Sequence, residues 1–403
     1  MSRRQRLADF LERSGLLSAV MKLRDRSPVP WLSVLTYHQF PSNGGVEPFD
    51  DGVVDVTPEE FERQIIGVKK HFNVVGVAEL CAFAQGRPLP KNPVAITFDD
   101  GYLSNFETAL PILKKHDCKA MFFVATSLIE ERRIHWWDRI AYVIKTSPRR
   151  ELQLEFPVPM RLDLTGPRED AIRAVLRVVK IHPSLPLQRF LSEMSRAADV
   201  PWSAEVERRF ADRLLMTWDQ VRELRKAGMD VQSHTRNHRV LQTLTQSELR
   251  DELDGSRDDL RRALGEPPRA IAYPVGHPLG ATSPVRTALE KSGYEIGLTN
   301  GTGPTPLDGT VDRFDIRRQM TGRDVSNAFF LTILAMPGLA PTHLWHLPAN
   351  LPDGRDLGGA ETGPRPSDIA PPAGLATPSI TGKATQDIDG LATPSGVRDA
   401  AVP

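Results

Sequence analysis

Between residue 31 and about residue 321, short apolar runs alternate with segments whose apolar positions recur at helical spacing. The runs at 32–37, 74–77, 94–98, 119–125, 229–233, 270–273, 295–299 and 314–317 are β-prone and predict strands. Several helix starts between them are legible. Thr57-Pro58-Glu59-Glu60 sets out an N-cap, a proline at the first helical position and a capping-box glutamate in order. Thr217-Trp218-Asp219-Gln220 and Thr245-Gln246-Ser247-Glu248 repeat the box, and Ser283-Pro284 opens another helix. Gly228, Gly265 and Gly293 stand where helices should stop. Strands and helices alternating at this pitch imply parallel β-structure with crossover helices, an α/β barrel or a doubly wound sheet.

Residues 130–215 break that rhythm. The segment opens on His135-Trp136-Trp137-Asp138, has one strand-like stretch at 152–156 and helical patterns around 168–181 and 187–197. It reads as an inserted, mostly helical subdomain. Its tryptophan pair fits a small core or a cleft wall that stacks on sugar rings. Residues 1–28 are basic, and Leu7, Phe10, Leu11, Leu16, Leu17 and Val20 fit an amphipathic helix. Such a helix either packs on the domain or makes peripheral membrane contact. From 347 to 403 aromatics vanish, Pro, Gly, Ala, Thr and Asp dominate, and Gly-Leu-Ala-Thr-Pro-Ser occurs twice. That composition predicts a disordered tail. The expected organisation is an N-terminal helix (1–28), a barrel in two pieces (29–129 and 216–325), the insertion (130–215), a C-terminal helix (326–346) and the tail.

Composition narrows the function. With 51 Lys+Arg against 51 Asp+Glu in 403 residues the formal net charge is zero, which argues against a nucleic-acid partner. Cys81 and Cys118, the only two cysteines, exclude a disulfide scaffold and a cysteine-rich zinc module, and both sit in apolar contexts as expected buried thiols. No apolar run approaches a membrane span, and no secretory signal is evident, so the expected location is cytoplasmic.

Two places carry candidate chemistry. The run 94–98 ends abruptly in Asp99-Asp100-Gly101-Tyr102. Adjacent carboxylates at a strand end point to opposite sides unless the chain turns, and Gly101 permits a turn. Like charges this close call for a cation or strong donors nearby; a solvated cap for the following helix is the bland alternative. The second place is Ser233-His234-Thr235-Arg236-Asn237-His238, after the run ending at Val231. Two histidines four residues apart share a face if the segment is helical, and one carboxylate with two imidazoles makes a three-ligand site for a divalent ion, zinc first among them. Both places follow strands, at the end of a parallel barrel where active sites gather.

Thr97-Phe98-Asp99-Asp100-Gly101-Tyr102 and Ser233-His234-Thr235-Arg236-Asn237-His238 resemble, in order, the first two motifs of the polysaccharide deacetylases, the NodB-homology carbohydrate esterases. The likeness spans about 31–127 and 214–321, and Leu35-Thr36-Tyr37-His38 resembles a strand near the start of many bacterial members. It implies a distorted (β/α) barrel. It also implies a metal bound by Asp100, His234 and His238, with Asp99 as the general base, and hydrolysis of N-acetyl groups on a saccharide polymer or oligomer. Ala272-Tyr273-Pro274-Val275-Gly276 resembles a variant third motif, with Tyr273, Val275 and Gly276 at substrate and oxyanion positions and Val275 offering its N–H. In that alignment Ala272 stands where an arginine would orient the base; Arg317 or Arg318, at the last strand, offers a substitute, with Arg317 assigned to the site here. The family's late Leu-x-His element has no clear match in the barrel after Gly301. His38 is therefore assigned as proton donor, with His277 as the other candidate in the barrel, while His343 and His346 lie beyond it. A catalytically silent carbohydrate-binding barrel, or a hydrolase of O-acetyl esters or cyclic amides, is the alternative. Oligomeric state is not legible.

Overall fold

The structure, a computed structural model, describes residues 3–27, 30–41, 48–300, 303–307, 311–320 and 325–337. The expected tail, His343 and His346 lie outside them. The first strands are β1 (Trp31–Tyr37), β2 (Asn73–Val74), β3 (Pro93–Phe98) and β4 (Met121–Val124). After the insertion's hairpin, β5 (Glu151–Leu154) and β6 (Met160–Asp163), come β7 (Asp230–Ser233), β8 (Ala270–Ala272) and β9 (Ile296–Thr299). The last are β10 (Thr305–Pro306), β11 (Ile316–Arg317) and β12 (Gln319–Met320).

Parallel pairing runs β1-β3-β4-β7-β8-β9-β11. β11 pairs β9, while β12, one residue further on, pairs β1 in parallel. Residues 316–320 therefore bridge the two open edges, and the sheet curls into a nearly closed barrel. The strands are buried along almost their whole length, β3 at every position. This is why they read as continuous apolar runs rather than alternating ones.

Alternate residues still face different partners. Leu32, Val34, Ala95, Phe123, Ala272 and Ile316 fill one cluster in the barrel. Leu35, Tyr37, Ile96, Phe98 and Phe122 pack with the flanking helices, and Phe98 stacks on Phe122 at 4.8 Å. The helices start where the sequence said: Thr57, Thr217 and Thr245 each complete a capping box.

The insertion builds a core of its own, in which Trp136, Ile140, Ile144, Ile172, Leu176 and Phe190 are buried together. Its helices include Trp136–Thr146, Arg168–Ile181, Leu187–Ala197 and Ala204–Leu214. The strand-like stretch is half of the β5–β6 hairpin, whose second strand had no apolar run to announce it. At the N-terminus there are two helices, Arg3–Arg13 and Leu16–Arg26, rather than one, because Gly15 takes a left-handed turn at φ 75°. Ala8, Leu17 and Met21 are buried in the barrel's outer core, whereas Leu7, Phe10, Leu16 and Leu23 are exposed. The helix Asn327–Ala335 covers the same region, with Ser326 Oγ bonded to Asp9 Oδ1 at 3.1 Å. Among the described residues no helix is long and apolar enough to cross a membrane. Cys81 and Cys118 are buried free thiols.

Candidate metal centre and active site

Every candidate group follows the C-terminal end of a barrel strand: His38 after β1, Asp99 and Asp100 after β3, and His234 after β7. Val275 follows β8, and Arg318 stands between β11 and β12. The backbone at these ends is unusual. Asp100 (φ 75°), Thr235 (64°), His238 (53°) and Val275 (65°) all lie in the left-handed region, and two of the four are β-branched. Each such position costs about 1–2 kcal/mol and persists only where the surroundings fix it.

At β3 the turn expected at Gly101 begins one residue earlier, at Asp100 itself. Asp99 continues the ladder through its N–H to the Tyr37 carbonyl (2.9 Å), and the turn brings both carboxylates to one side. After β7 the segment 234–238 is not helical, so the expected helical face is corrected. The two histidines converge because Thr235 and His238 turn the chain back on itself. Buried Glu252 fixes that turn, accepting hydrogen bonds from the Arg236 and Asn237 N–H groups (3.0 and 2.8 Å) and from Asn237 Nδ2 (3.0 Å).

The result is a compact, buried donor set. Asp100 Oδ1 lies 3.4 Å from His234 Nε2 and 3.3 Å from His238 Nε2, and the two Nε2 atoms are 3.1 Å apart. Ligands at zinc-like bond lengths of about 2.0–2.1 Å, tetrahedrally disposed, stand about 3.3–3.4 Å from one another. The three residues thus fit a single divalent ion without rearrangement. His234 Nδ1 is paired with the Ala272 carbonyl (2.8 Å), which holds the proton there and leaves Nε2 as a lone-pair donor. Burial alone would raise the Asp100 carboxyl; hydrogen bonds to His234 and His238 hold it well below the usual range. Burial and the neighbouring His234 push His238 down, toward the neutral ring a ligand requires.

Asp99 stands beside this set, Oδ2 3.7 Å from His234 Nε2. Its other oxygen accepts a hydrogen bond from Arg318 Nη1 at 2.7 Å. Burial works to raise the Asp99 carboxyl, and the Arg318 guanidinium overrides it, leaving the group ionised below its ordinary value. Arg318 is fully buried. Arg317, assigned to the site from sequence, is corrected: its side chain is half-exposed, 3.5 Å from Asp315 Oδ2. The reason is strand parity. Ile316 faces the barrel interior, so 318 shares its side and 317 faces away.

His38 lines the pocket with Asp99 and Asp100, its Nδ1 3.4 Å from Asp55 Oδ2. Burial pulls its pKa down, but the Asp55 pairing wins and raises it to about 9. His277 is not among the lining residues, and burial lowers its pKa. Val275 does line the pocket, and its N–H has no acceptor among the described residues. Tyr273 lines it too, but its hydroxyl donates to the Phe314 carbonyl (3.0 Å) and occupies the space a Cβ at Gly297 would need. Gly276 lets Asn300 approach within 2.5 Å of where a Cβ would stand.

The far wall of the pocket comes from the insertion: Trp136, Trp137, Arg173, Leu176 and Lys180. The tryptophans both pack in the insertion's core and line the pocket. Trp137 sits edge-on to the His238 ring at 4.4 Å while Trp136 Nε1 donates to the His238 carbonyl (3.1 Å). Asp55, Asn300, Lys180 and the buried His135, stacked on Trp137 at 4.3 Å, carried no sequence signal as site residues.

Comparison with known proteins points to one family. The family model of polysaccharide deacetylases matches residues 86–297. The putative polysaccharide deacetylase YxkH of Bacillus subtilis (strain 168) is 22% identical over 259 residues, covering 64% of this chain and 56% of that protein. The poly-beta-1,6-N-acetyl-D-glucosamine N-deacetylase of Staphylococcus aureus (strain N315) is 33% identical over 87 residues, covering 21% of this chain and 30% of that protein. The chain therefore spans just over half of the first relative and under a third of the second. Among solved structures, the Streptococcus pyogenes deacetylase PplD in complex with acetate superposes at a TM-score of 0.49 and 19% identity, over 76% of this chain and 99% of that one. The family match covers more than half of the sequence and includes both ligand-bearing loops, and the chain belongs to the polysaccharide deacetylase family.

Proposed function

We propose that this protein hydrolyses N-acetyl groups of a saccharide polymer or oligomer, with a divalent ion, zinc first, held by Asp100, His234 and His238. The observation that carries the reading is the 3.1–3.4 Å spacing of the three ligand atoms with an arginine-held carboxylate beside them. Two imidazoles and a carboxylate suit zinc or a similar ion and leave a position open. Bound there, the ion polarises the acetyl carbonyl and acidifies water.

The chain's own groups supply the rest. Asp99 accepts the proton of the attacking water, with Arg318 keeping its oxygens oriented and the carboxyl ionised. The Val275 N–H donates to the carbonyl oxygen as charge collects there. His38, charged at neutral pH through its pairing with Asp55, donates a proton to the departing amine as the C–N bond breaks. Water adds to the acyl carbon, the amine leaves with a proton, and acetate is the other product. Trp136 and Trp137 give this pocket an aromatic wall for a sugar ring.

The test is to purify Asp100→Ala and His234→Ala and measure bound metal and acetate released from N-acetylglucosamine oligomers. The expected result is loss of both; variants that keep metal and activity overturn the assignment.

A further inference from the structure

The wall facing the metal centre carries a cation that the chemistry above does not use. The helix Arg168–Ile181 turns Arg173, Leu176 and Lys180 toward the pocket, spaced three and four residues apart on a single face. Arg173 is already committed. Its Nη1 and Nη2 reach the two oxygens of Asp50 at 3.3 and 2.5 Å, and Glu169 meets it from the solvent side. Asp50 Oδ1 also accepts from the Gly52 N–H, so that carboxylate is spent. Lys180, two turns along, has no carboxylate within ion-pair reach among the described residues. Its amine is half-buried, and burial, together with repulsion from Arg173, holds its pKa below the ordinary value despite the attraction of Asp50. Nor do the carboxylates opposite answer it, because Arg318 and the ion they would hold balance Asp99 and Asp100.

An unpaired ammonium lining the same pocket as the reacting centre is a recognition group waiting for an anion. We propose that Lys180 forms an anion-binding subsite, so that the substrate is a saccharide bearing a carboxylate or phosphate next to its N-acetylated sugar. The location of the subsite rests on the deacetylase reading, but the sign of the ligand is read from the insertion alone. Carboxylate and phosphate present the same chemistry to an ammonium, and they come from different sources: a uronic acid in the glycan, or the phosphate of a carrier-linked sugar.

Binding is measured by calorimetry on the full chain loaded with zinc, in an Asp99→Asn background that spares the ligand from hydrolysis. Three probes are compared at low salt: an oligosaccharide alternating N-acetylglucosamine with glucuronic acid, N-acetylglucosamine 1-phosphate, and a neutral N-acetylglucosamine tetramer. One of the two anionic probes is expected to bind about tenfold or more tighter than the neutral one per sugar engaged, the size of a charged hydrogen bond. Lys180→Gln is expected to collapse that ratio to about one, and Lys180→Arg to keep most of it. The uronate and phosphate arms tell the two sources apart. Equal binding of all three probes to the protein with Lys180 intact overturns the inference, and so does a Lys180→Gln variant that keeps the ratio. Acetate release from the neutral tetramer without anionic preference sinks the subsite and leaves the deacetylase reading standing. A ratio that depends on Lys180 in a protein that deacetylates nothing does the reverse.

Discussion

The two walls of the pocket are built on different principles. On the barrel side, the central groups are tied to buried partners: Asp99 to Arg318, His234 to the Ala272 carbonyl, the 235–237 turn to Glu252. Four left-handed residues concentrate there, and strain of that kind survives only in a rigid frame. On the insertion side the lining consists of one helix face and two tryptophan edges, supported by a separate core and ending in an unpaired lysine. The first arrangement fixes a reaction, since a base must stand within a fraction of an ångström of its place. The second offers a shape and a charge, and it meets the reacting groups only where Trp136 and Trp137 contact His238. A fold can thus keep its chemistry while an insertion between two strands, β4 and β7, resets what enters.

The largest effect that would break this division is at Asp99. Asp99→Asn removes the base and keeps the shape, so metal content should remain while acetate release falls about 10²-fold or more. If turnover is unchanged, the fixed wall does not contain the base where it has been put.

Arg318→Met comes next. Losing one partner of a buried pair leaves Asp99 uncompensated and should destabilise the protein by about 3–5 kcal/mol, read as a shift in the denaturant midpoint. It also has a pH signature. Arg318 depresses the Asp99 carboxyl, so in the native protein the base is ionised well into the acidic range. Without the guanidinium, burial is unopposed and the carboxyl rises. The acidic limb of kcat/KM should therefore move to higher pH, with activity at pH 5–6 lost first and partly recovered toward pH 8. A limb that stays in place would leave Arg318 a structural residue only.

The same contrast explains what could be read in the sequence. The ligands lie within two to seven residues of apolar runs that end at Phe98 and Val231, so the chemistry is compressed into two short strings and the strand pattern says which end of the barrel they occupy. Arg318 was half legible. Its partner is 219 residues away, which no local spacing reveals, yet the parity of Ile316 would have separated it from Arg317. Lys180 was illegible for another reason: positions 173, 176 and 180 repeat as those of any amphipathic helix do, and only the tertiary fold says that this face looks inward. At 234–238 the spacing would bring the histidines together on a helix, but left-handed turns at Thr235 and His238 do so without one, which i, i+4 spacing does not reveal.

Between the two walls runs the segment 50–55, which touches both. Asp50 holds Arg173 and its N–H donates to the buried Asp138, while Asp55 pairs with His38. The expected effect here is the smallest near neutrality and the most diagnostic. The His38 imidazole would by burial alone fall below its ordinary value; Asp55 raises it to about 9. A proton donor works while protonated, so the alkaline limb of kcat/KM should lie near pH 9 in the native protein. In Asp55→Asn the largest raising interaction is gone, while burial and the weaker pull of Asp99 and Asp100 remain, so the His38 pKa should fall and the limb with it. The loss should be smallest at acidic pH and grow by up to about tenfold per pH unit above the shifted limb, until the native limb is reached. Asp50→Asn, acting on the other wall, should leave the limb where it is. If Asp55→Asn lowers activity uniformly across pH, His38 is not the donor and the seam is structural; if the limb moves as stated, proton delivery belongs to the fixed wall, and the insertion is left with recognition.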